Sequence, residues 1–455
     1  MRCAEPFLEL IANLCNYTIT TNYFPDRLKE NYLVPLYKRG DTTNPSNYRG
    51  IVLANCLYQL ISAWFGHCLQ QYVWRKGLLS PTQVATQKGV QPADIVSFLD
   101  QLHTAAAATQ TTVFAIKRDH TKGFDFLHSS AFLDALRFFG LGEAAIAFET
   151  ARTDRCTLRV KSQDGVATEV IITVGQTKQG EHISPLKYTL TMSMLSRWLA
   201  TLPQVTAATP AIKSVSAANG NPHTAAEQQP VRVTAVEATD DSILMALSWA
   251  LLQTTLQFVE KFQTAYGVTT AWDSPDKTVC FTLGKPPPDP LPAHVTFRID
   301  DKEIDVPTTD CPRFLRAALK DPSDMFQSIK AIITAFPLPV DKWCPISLYR
   351  RAVQQLLMPK IRGRLAARPV SRTQAQALDK LMSDRIMRAC GLTNTKSPIL
   401  TQPTSRLGFD FPSIETVNHE LAICYDPGCP KWVDRRRRTR GVRSWHNLLN
   451  LLVNL

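Results

Sequence analysis

Two runs of β-branched and apolar residues, each ending in carboxylates, constrain this chain most. TTVFAIKRD (111–119) reads as a buried strand running into a charged end at Asp119. VRVTAVEATDDSILMAL (231–247) reads as two apolar strands around a turn at Thr239-Asp240-Asp241. Carboxylates at the ends of buried strands need a compensating cation, because clustered like charges are costly. Adjacent strand residues face opposite sides of a sheet, so one of Asp240 and Asp241 faces the site and the other flanks it or shapes the turn. Neighbouring strands that bring Asp119 beside Asp240 could hold two Mg²⁺ ions about 3.5–4 Å apart, the pair that stabilises both attacking and leaving oxygens in phosphoryl transfer. The same residues also fit two unrelated loop carboxylates, since Asp-Asp is common at turns.

The rest of the chain is a mixture of helix and strand. Helices are predicted at 54–77, ending at Gly77, and at 92–108, with Pro92 near its first turn; others follow at 129–140 and 184–202. Strands are predicted from Tyr32 to Tyr37 and over 276–284, with a hairpin over 157–175 turning at Asp164-Gly165. Residues 204–230 are Ala/Thr/Pro/Asn/Gln-rich and read as a flexible insertion, and KPPPDPLPA as a linker. Beyond about residue 322 the chain reads as helical. It includes 345–368, where Pro359 introduces a kink, and 371–391, with a Ser371/Gln374 capping box and a Gly391 stop. No Gly-rich turn follows the first strand, which excludes a simple doubly wound nucleotide-binding domain.

At 455 residues the chain has room for about three domains. Its 44% hydrophobic residues can build real cores, and no run approaches the ~18 uncharged apolar residues of a membrane span. Eleven cysteines without paired spacing fit reduced thiols, hence an intracellular location in cytoplasm or nucleus, and no membrane partner. The net charge of +12 is localised: residues 341–455 carry 20 Lys and Arg against 8 Asp and Glu, while the rest of the chain carries 31 of each. A localised basic region points to a polyanion, most commonly nucleic acid. The run from Arg435 to Arg443 fits that or a nuclear-import signal equally. Cys424 and Cys429, near His419 and His446, have spacing too loose for a zinc site to be the main reading.

Taken together, the motifs resemble those of reverse transcriptases of the non-LTR retrotransposon type. Asp119-His-Thr-Lys-Gly-Phe-Asp125 is similar to D-x-x-K-A-F-D, and Gln179-Gly180-Glu-His-Ile-Ser184-Pro185-Leu186 to Q-G-x-x-x-S-P-L. Ala238-Thr239-Asp240-Asp241 stands where the family has an aromatic, then Ala-Asp-Asp. VPLYKRGDTTNPSNYRGI (34–51) and LLSPTQVATQKG resemble the upstream motifs, while YGVTTAWDSPDKTVCF (266–281) and LGFDFPSI (407–414) resemble the downstream ones. The likeness spans roughly residues 28–415 in family order. Ala238 and Thr239 before the Asp pair, Gly123, Gly50, Gln176 and Val84-Ala85-Thr86 depart from the pattern.

The resemblance implies an α+β right-hand polymerase. Residues 1–110 would form fingers and an N-terminal extension, and 111–290 a palm of antiparallel sheet backed by helices, with part of the fingers. Residues 291–400 would form a linker and helical thumb, and 401–455 a basic extension. It implies Asp119, Asp240 and Asp241 around two Mg²⁺ ions, with Mn²⁺ as a substitute. The backbone of His120 would assist, and Lys277 would protonate pyrophosphate. Lys38 and Arg49 would grip the triphosphate, with Gln179 and Gly180 beginning a helix beneath nucleotide and template. Phe124 would exclude a 2′-hydroxyl, although a core Phe fits the same position. Arg350, Arg351, Arg362, Arg364, Lys380, Arg385 and Arg388 would follow the duplex backbone. The expected partners are an RNA template, a DNA primer and dNTPs. The chain would be an isolated or truncated polymerase portion of a longer element product. A decayed nucleic-acid-binding remnant of the same fold, or an RNA-templated RNA polymerase, are the alternatives.

Overall fold

The structure is a computed structural model. It describes residues 5–425 except Arg39, Gln91, Lys122, 163–164, Thr168, 175–176, 213–230, 275–276, Arg316, Pro322, 339–343 and 393–397. The predicted hairpin residue Asp164, Gly175-Gln176, most of the Ala/Thr-rich insertion, the Arg435–Arg443 run, Cys429 and His446 lie outside the described residues, as does the side chain of Cys424.

The chain is an α+β protein, with an antiparallel sheet at its centre. Its strands are β3 (Thr112–Arg118), β5 (Ala235–Ala238), β6 (Asp241–Ala246) and β7 (Val279–Gly284), in the order β7-β3-β6-β5. Alternate side chains serve two cores. Val113, Ala115, Ile243, Met245 and Phe281 pack with Phe98 and Leu102 of helix α2 (Pro92–Ala108). Ile116, Leu244, Ala246 and Cys280 pack with α3 (Ser184–Thr201) and α4 (Trp249–Ala265). With both faces covered, these strands carry near-continuous apolar runs rather than a polar/apolar alternation.

A second sheet joins β1 (Glu30–Tyr37) to β2 (Tyr48–Ala54) antiparallel and to β4 (Cys156–Ser162) in parallel. It stands next to α1 (Cys56–Lys76), which Asn55 caps through its side chain and Gly77 ends in a left-handed turn (φ 59°). Gly165–Val166 and Ile171–Thr173 add to β4, in keeping with the predicted hairpin.

Three expectations change. Pro203–Ala208 is a helix with Val205 and Ala208 buried, and Ala211–Ile212 pairs with Val231–Arg232, so the unpatterned segment begins later than 204. The Pro-rich linker 285–293 holds no strand or helix, but directly after it, within 291–400 read as linker and helical thumb, lies a hairpin, β8 (His294–Ile299) and β9 (Lys302–Pro307). Its turn residues Asp300 and Asp301 both have positive φ (47° and 63°), a type I′ geometry reached without glycine, so the usual Asn-Gly or Asp-Gly signal is missing. Val295, Phe297 and Ile299 alternate inward, which was the legible cue. The third change is in the basic helix, which runs in three pieces: Ile346–Ala352, a π-helical turn Val353–Leu357, and Met358–Leu365. Pro359 lacks an N–H and its ring crowds the carbonyl four residues back, so the ladder widens just before it.

These helices share a core with α5 (Ser323–Ala335) and α6 (Arg372–Ala389), whose expected Ser371/Gln374 capping box is present. Among the described residues no helix is long and apolar enough to cross a membrane.

Candidate active site

Antiparallel register brings the distant carboxylates together. Ser242 of β6 lies opposite Arg118 of β3, so Asp119 leaves its strand beside Asp241. Thr239 and Asp240 form the tight turn between β5 and β6, with Thr239 in the left-handed region (φ 63°). Asp119 and Asp240 line an open cleft of about 1700 Å³, and Asp241 is not among its lining residues. Asp240, in the turn, faces the cleft, and Asp241, the first residue of β6, flanks it.

The two carboxylates of the turn are disturbed by burial and by their neighbours. Burial, then the charges of Asp240 and Asp119, push the Asp241 carboxyl up to about 6, while Lys117 and Lys277 oppose the shift. Asp240 is also raised, chiefly by burial and then by Asp119, against the pull of Arg49 and Lys277. Lys277, from the loop before β7, ion-pairs with Asp119 at 2.5 Å. Three hard oxygen donors in mutual repulsion suit a divalent cation such as Mg²⁺. As they stand, no three His, Cys, Asp or Glu side chains among the described residues are gathered closely enough to hold one, and Asp119 is directed at Lys277.

Beneath the carboxylates lies a buried polar network. Arg118 faces away from the cleft and is fully buried. It donates to Glu260 (2.6 Å), Gln263 Oε1 (3.1 Å), Thr270 (3.0 Å) and Ser242 (3.3 Å). Because Gln263 Oε1 accepts from Arg118, its amide nitrogen is left to donate to His120 Nε2 (3.0 Å), so the imidazole proton sits on Nδ1, against Tyr188 Oη. Burial and then Arg118 hold His120 well below its ordinary pKa, so the ring is neutral. Its side chain is thus committed to the scaffold behind Asp119. Glu237, buried in β5, is pushed up to about 7 by burial, with Arg118 and a hydrogen bond from Ser196 opposing (3.2 Å).

The cleft walls carry the other candidates. Lys38, at the end of β1, and Arg49 of β2 are exposed lining residues, and Arg49 acts electrostatically on Asp240. Phe124 is half-buried: its ring packs on Tyr188 at 5.0 Å and its edge lines the cleft, so core and wall roles coexist. Gln179 and Gly180 form a turn ahead of α3 and not its first residues, because the helix begins at Ser184. Gly180 has φ 107°, and a Cβ there would lie 2.7 Å from the Val52 carbonyl, so this close approach to β2 requires glycine. Gln179 donates to Asp125 at 3.3 Å, and its carbonyl accepts from Val52 N at 2.8 Å.

The basic helices divide their charges. Arg351, Arg362, Lys380 and Arg388 are exposed. Arg350 donates to the Phe409 carbonyl (3.4 Å), Arg364 to Ser328 (2.6 Å) and Arg385 to the Phe336 carbonyl (3.0 Å), so these three hold the helices to their neighbours. Sequence reasoning missed Arg368, which is buried and binds both carboxylate oxygens of Asp100 (2.5 Å each), joining α2 to the C-terminal helices. It also missed the buried cluster of Arg152, Glu149, Glu181 and Lys187 beside Tyr58. A charged residue destined for burial looks like a solvated one until its partner, far off in sequence, is placed.

In its motifs, their order and the strand pairing that unites them, the chain is similar to reverse transcriptases. Among curated proteins it is similar to the retrovirus-related Pol polyprotein from type-1 retrotransposable element R2 of Popillia japonica, 27% identical over 177 residues. That match covers 38% of this chain and 24% of the relative, so it spans about a quarter of the relative's length. Similar solved structures include apo telomerase from Candida tropicalis, with TM-score 0.43, 10% identity, and coverage of 99% of this chain and 74% of that one. Telomerase from Candida albicans in complex with a fragment of telomeric RNA has TM-score 0.37, 9% identity, and coverage of 94% and 68%. No family model matches the chain.

Proposed function

We propose that the chain is the polymerase portion of a retrotransposon reverse transcriptase, which extends a primer 3′-hydroxyl with dNTPs on an RNA template. The single observation that carries this reading is the convergence of Asp119 and the Asp240-Asp241 turn on adjacent antiparallel strands at one end of a cleft also lined by Lys38, Arg49 and Lys277. In this reading the central sheet is the palm, the β2-β1-β4 sheet with α1 belongs to the fingers, and the helices after residue 322 are the thumb.

Arg49 and Lys38 bind the triphosphate across the cleft from the carboxylates, a task that suits a guanidinium fork and an ammonium. Phe124 closes the cleft beneath the sugar of the incoming nucleotide and leaves no room for a 2′-hydroxyl. Lys277 holds its proton at Nζ for the leaving pyrophosphate. Two Mg²⁺ ions held by Asp119 and Asp240, with Asp241 in support, would lower the pKa of the primer hydroxyl and neutralise the triphosphate. Arg351, Arg362, Lys380 and Arg388 give salt-sensitive, sequence-independent contact with the duplex.

A second reading, a nucleic-acid-binding remnant without turnover, is favoured by one observation: the β-branched Thr239 is held at φ 63° beside the two aspartates, a strained choice for that turn. Primer extension on an RNA template with Mg²⁺ and dNTPs separates the two. Extension that disappears in Asp240→Ala supports the polymerase. Salt-sensitive RNA binding with no extension by the unaltered chain supports the remnant.

A further inference from the structure

One aromatic side chain lies behind the segment that runs from Asp119 into the cleft wall. Tyr188, in the second turn of α3, is fully buried and is not among the lining residues of the cleft. It meets the segment at three points. Its hydroxyl is hydrogen-bonded to Nδ1 of His120, the residue after Asp119. Its ring lies 5.0 Å from the ring of Phe124, tilted by 33°. Between these two contacts, a Cβ added to Gly123 would lie 3.0 Å from Tyr188 Oη, 3.2 Å from His120 Cβ and 3.4 Å from Tyr188 Cε2. His120, Gly123 and Phe124 all line the cleft, so Tyr188 is the back of the wall whose front they form.

Gly123 is the informative position. Ala stands there in the motif that residues 119–125 resemble, and Gly123 opens a helical turn, Gly123–Phe126, where Ala is the better helix former. The backbone does not call for glycine, because the φ of Gly123 is not positive. The space does: a carbon 3.0 Å from a phenol oxygen is inside van der Waals contact. The hydroxyl is in turn needed by His120, whose Nε2 is already engaged by Gln263 at 3.0 Å. Without Tyr188 Oη the buried Nδ1–H loses its acceptor, a costly loss. A plain phenyl ring at this place in α3 would fill the core equally well and would admit Ala. The departure at Gly123 therefore makes room for one hydroxyl, and that hydroxyl fixes the residue next to Asp119. Phe124 has no polar atom to orient it, so its ring takes its direction from the surface it packs on.

We propose that Tyr188 is a positioning residue for sugar selection: through its hydrogen bond to His120 and its contact with Phe124 it sets how far the Phe124 ring stands into the cleft, and Gly123 is the substitution that admits its hydroxyl. The proposal rests on the polymerase reading for the role of Phe124 and for the substrate, a nucleoside triphosphate distinguished at its 2′ position.

The test compares kcat/KM for a dNTP and for the matching rNTP in primer extension on an RNA template. It uses the unaltered chain, Tyr188→Phe, Gly123→Ala and the double variant, and thermal unfolding is followed on the same proteins. Tyr188→Phe keeps the ring and removes only the hydroxyl. Its preference for dNTP over rNTP should fall by about tenfold, the scale on which a small misfit in an apolar pocket discriminates, with the change carried by a gain for rNTP. Gly123→Ala should lower the melting temperature when made alone, and lower it less, or raise it, when combined with Tyr188→Phe, because the oxygen it meets is gone. An unchanged preference in Tyr188→Phe overturns the proposal. So does an equal fall in kcat/KM for both nucleotides, which is what a merely structural tyrosine gives. Additive losses in melting temperature overturn the match between Gly123 and Tyr188. Absent extension by the unaltered chain with either nucleotide overturns the polymerase reading, and the sugar role with it, while the melting temperatures still decide whether Gly123 and Tyr188 are matched.

Discussion

Replacing Asp241 by Asn should stabilise this protein, and the gain should depend on pH. The carboxyl is raised from 3.8 to about 6, first by burial and then by Asp240 and Asp119. The folded chain therefore holds this proton more tightly than the unfolded chain does. Below about pH 4 the group is protonated in both states and costs nothing; as pH rises through about 6 the folded state loses the proton and the cost accumulates, complete above that. A shift of about two units, at about 1.4 kcal/mol each, gives about 3 kcal/mol as the upper figure. The half-buried position keeps some contact with solvent, so Asp241→Asn should gain about 1–3 kcal/mol at pH 8 and almost nothing at pH 4. Urea unfolding of both proteins in metal-free buffer at pH 4, 6 and 8 measures it. Mg²⁺ added at pH 8 should stabilise the unaltered chain more than the variant, since a cation relieves the same repulsion. A variant no more stable at pH 8, or a gap equal at pH 4 and pH 8, would refute the electrostatic account of this turn.

Two further perturbations probe the scaffold. Gly180→Ala sets a Cβ 2.7 Å from the Val52 carbonyl at φ 107° and should cost about 1–3 kcal/mol, read as a lowered melting temperature together with impaired primer extension. An unchanged melting temperature would show that the contact with β2 is not needed. Glu260→Gln leaves the fully buried Arg118 without its anion and should cost about 3–5 kcal/mol by chemical denaturation. A loss below about 1 kcal/mol would mean that Gln263, Thr270 and Ser242 suffice for the guanidinium.

What could be read without coordinates was whatever is encoded locally. β3 and the β5-β6 pair announce themselves by β-branched runs that end in acids, α1 by its Gly77 stop, and α6 by Ser371 and Gln374, because propensity, caps and turns act over a few residues. Motif order, a property of the linear chain, likewise led to the reverse transcriptase-like class. Interactions between distant residues were decided only in three dimensions. Nothing local marks Arg118, Arg152 and Arg368 for burial, yet folding buries all three, and their partners Glu260, Glu181 and Asp100 lie 29 to 268 positions away. The β8-β9 hairpin was hidden because Asp300-Asp301 adopts a turn usually signalled by glycine. That Asp240 faces the cleft while Asp241 stands behind it follows from strand pairing, and burial beside like charges then sets how tightly each holds its proton. The sequence specifies which groups are available; desolvation and cross-strand register determine which of them meet, and at what charge.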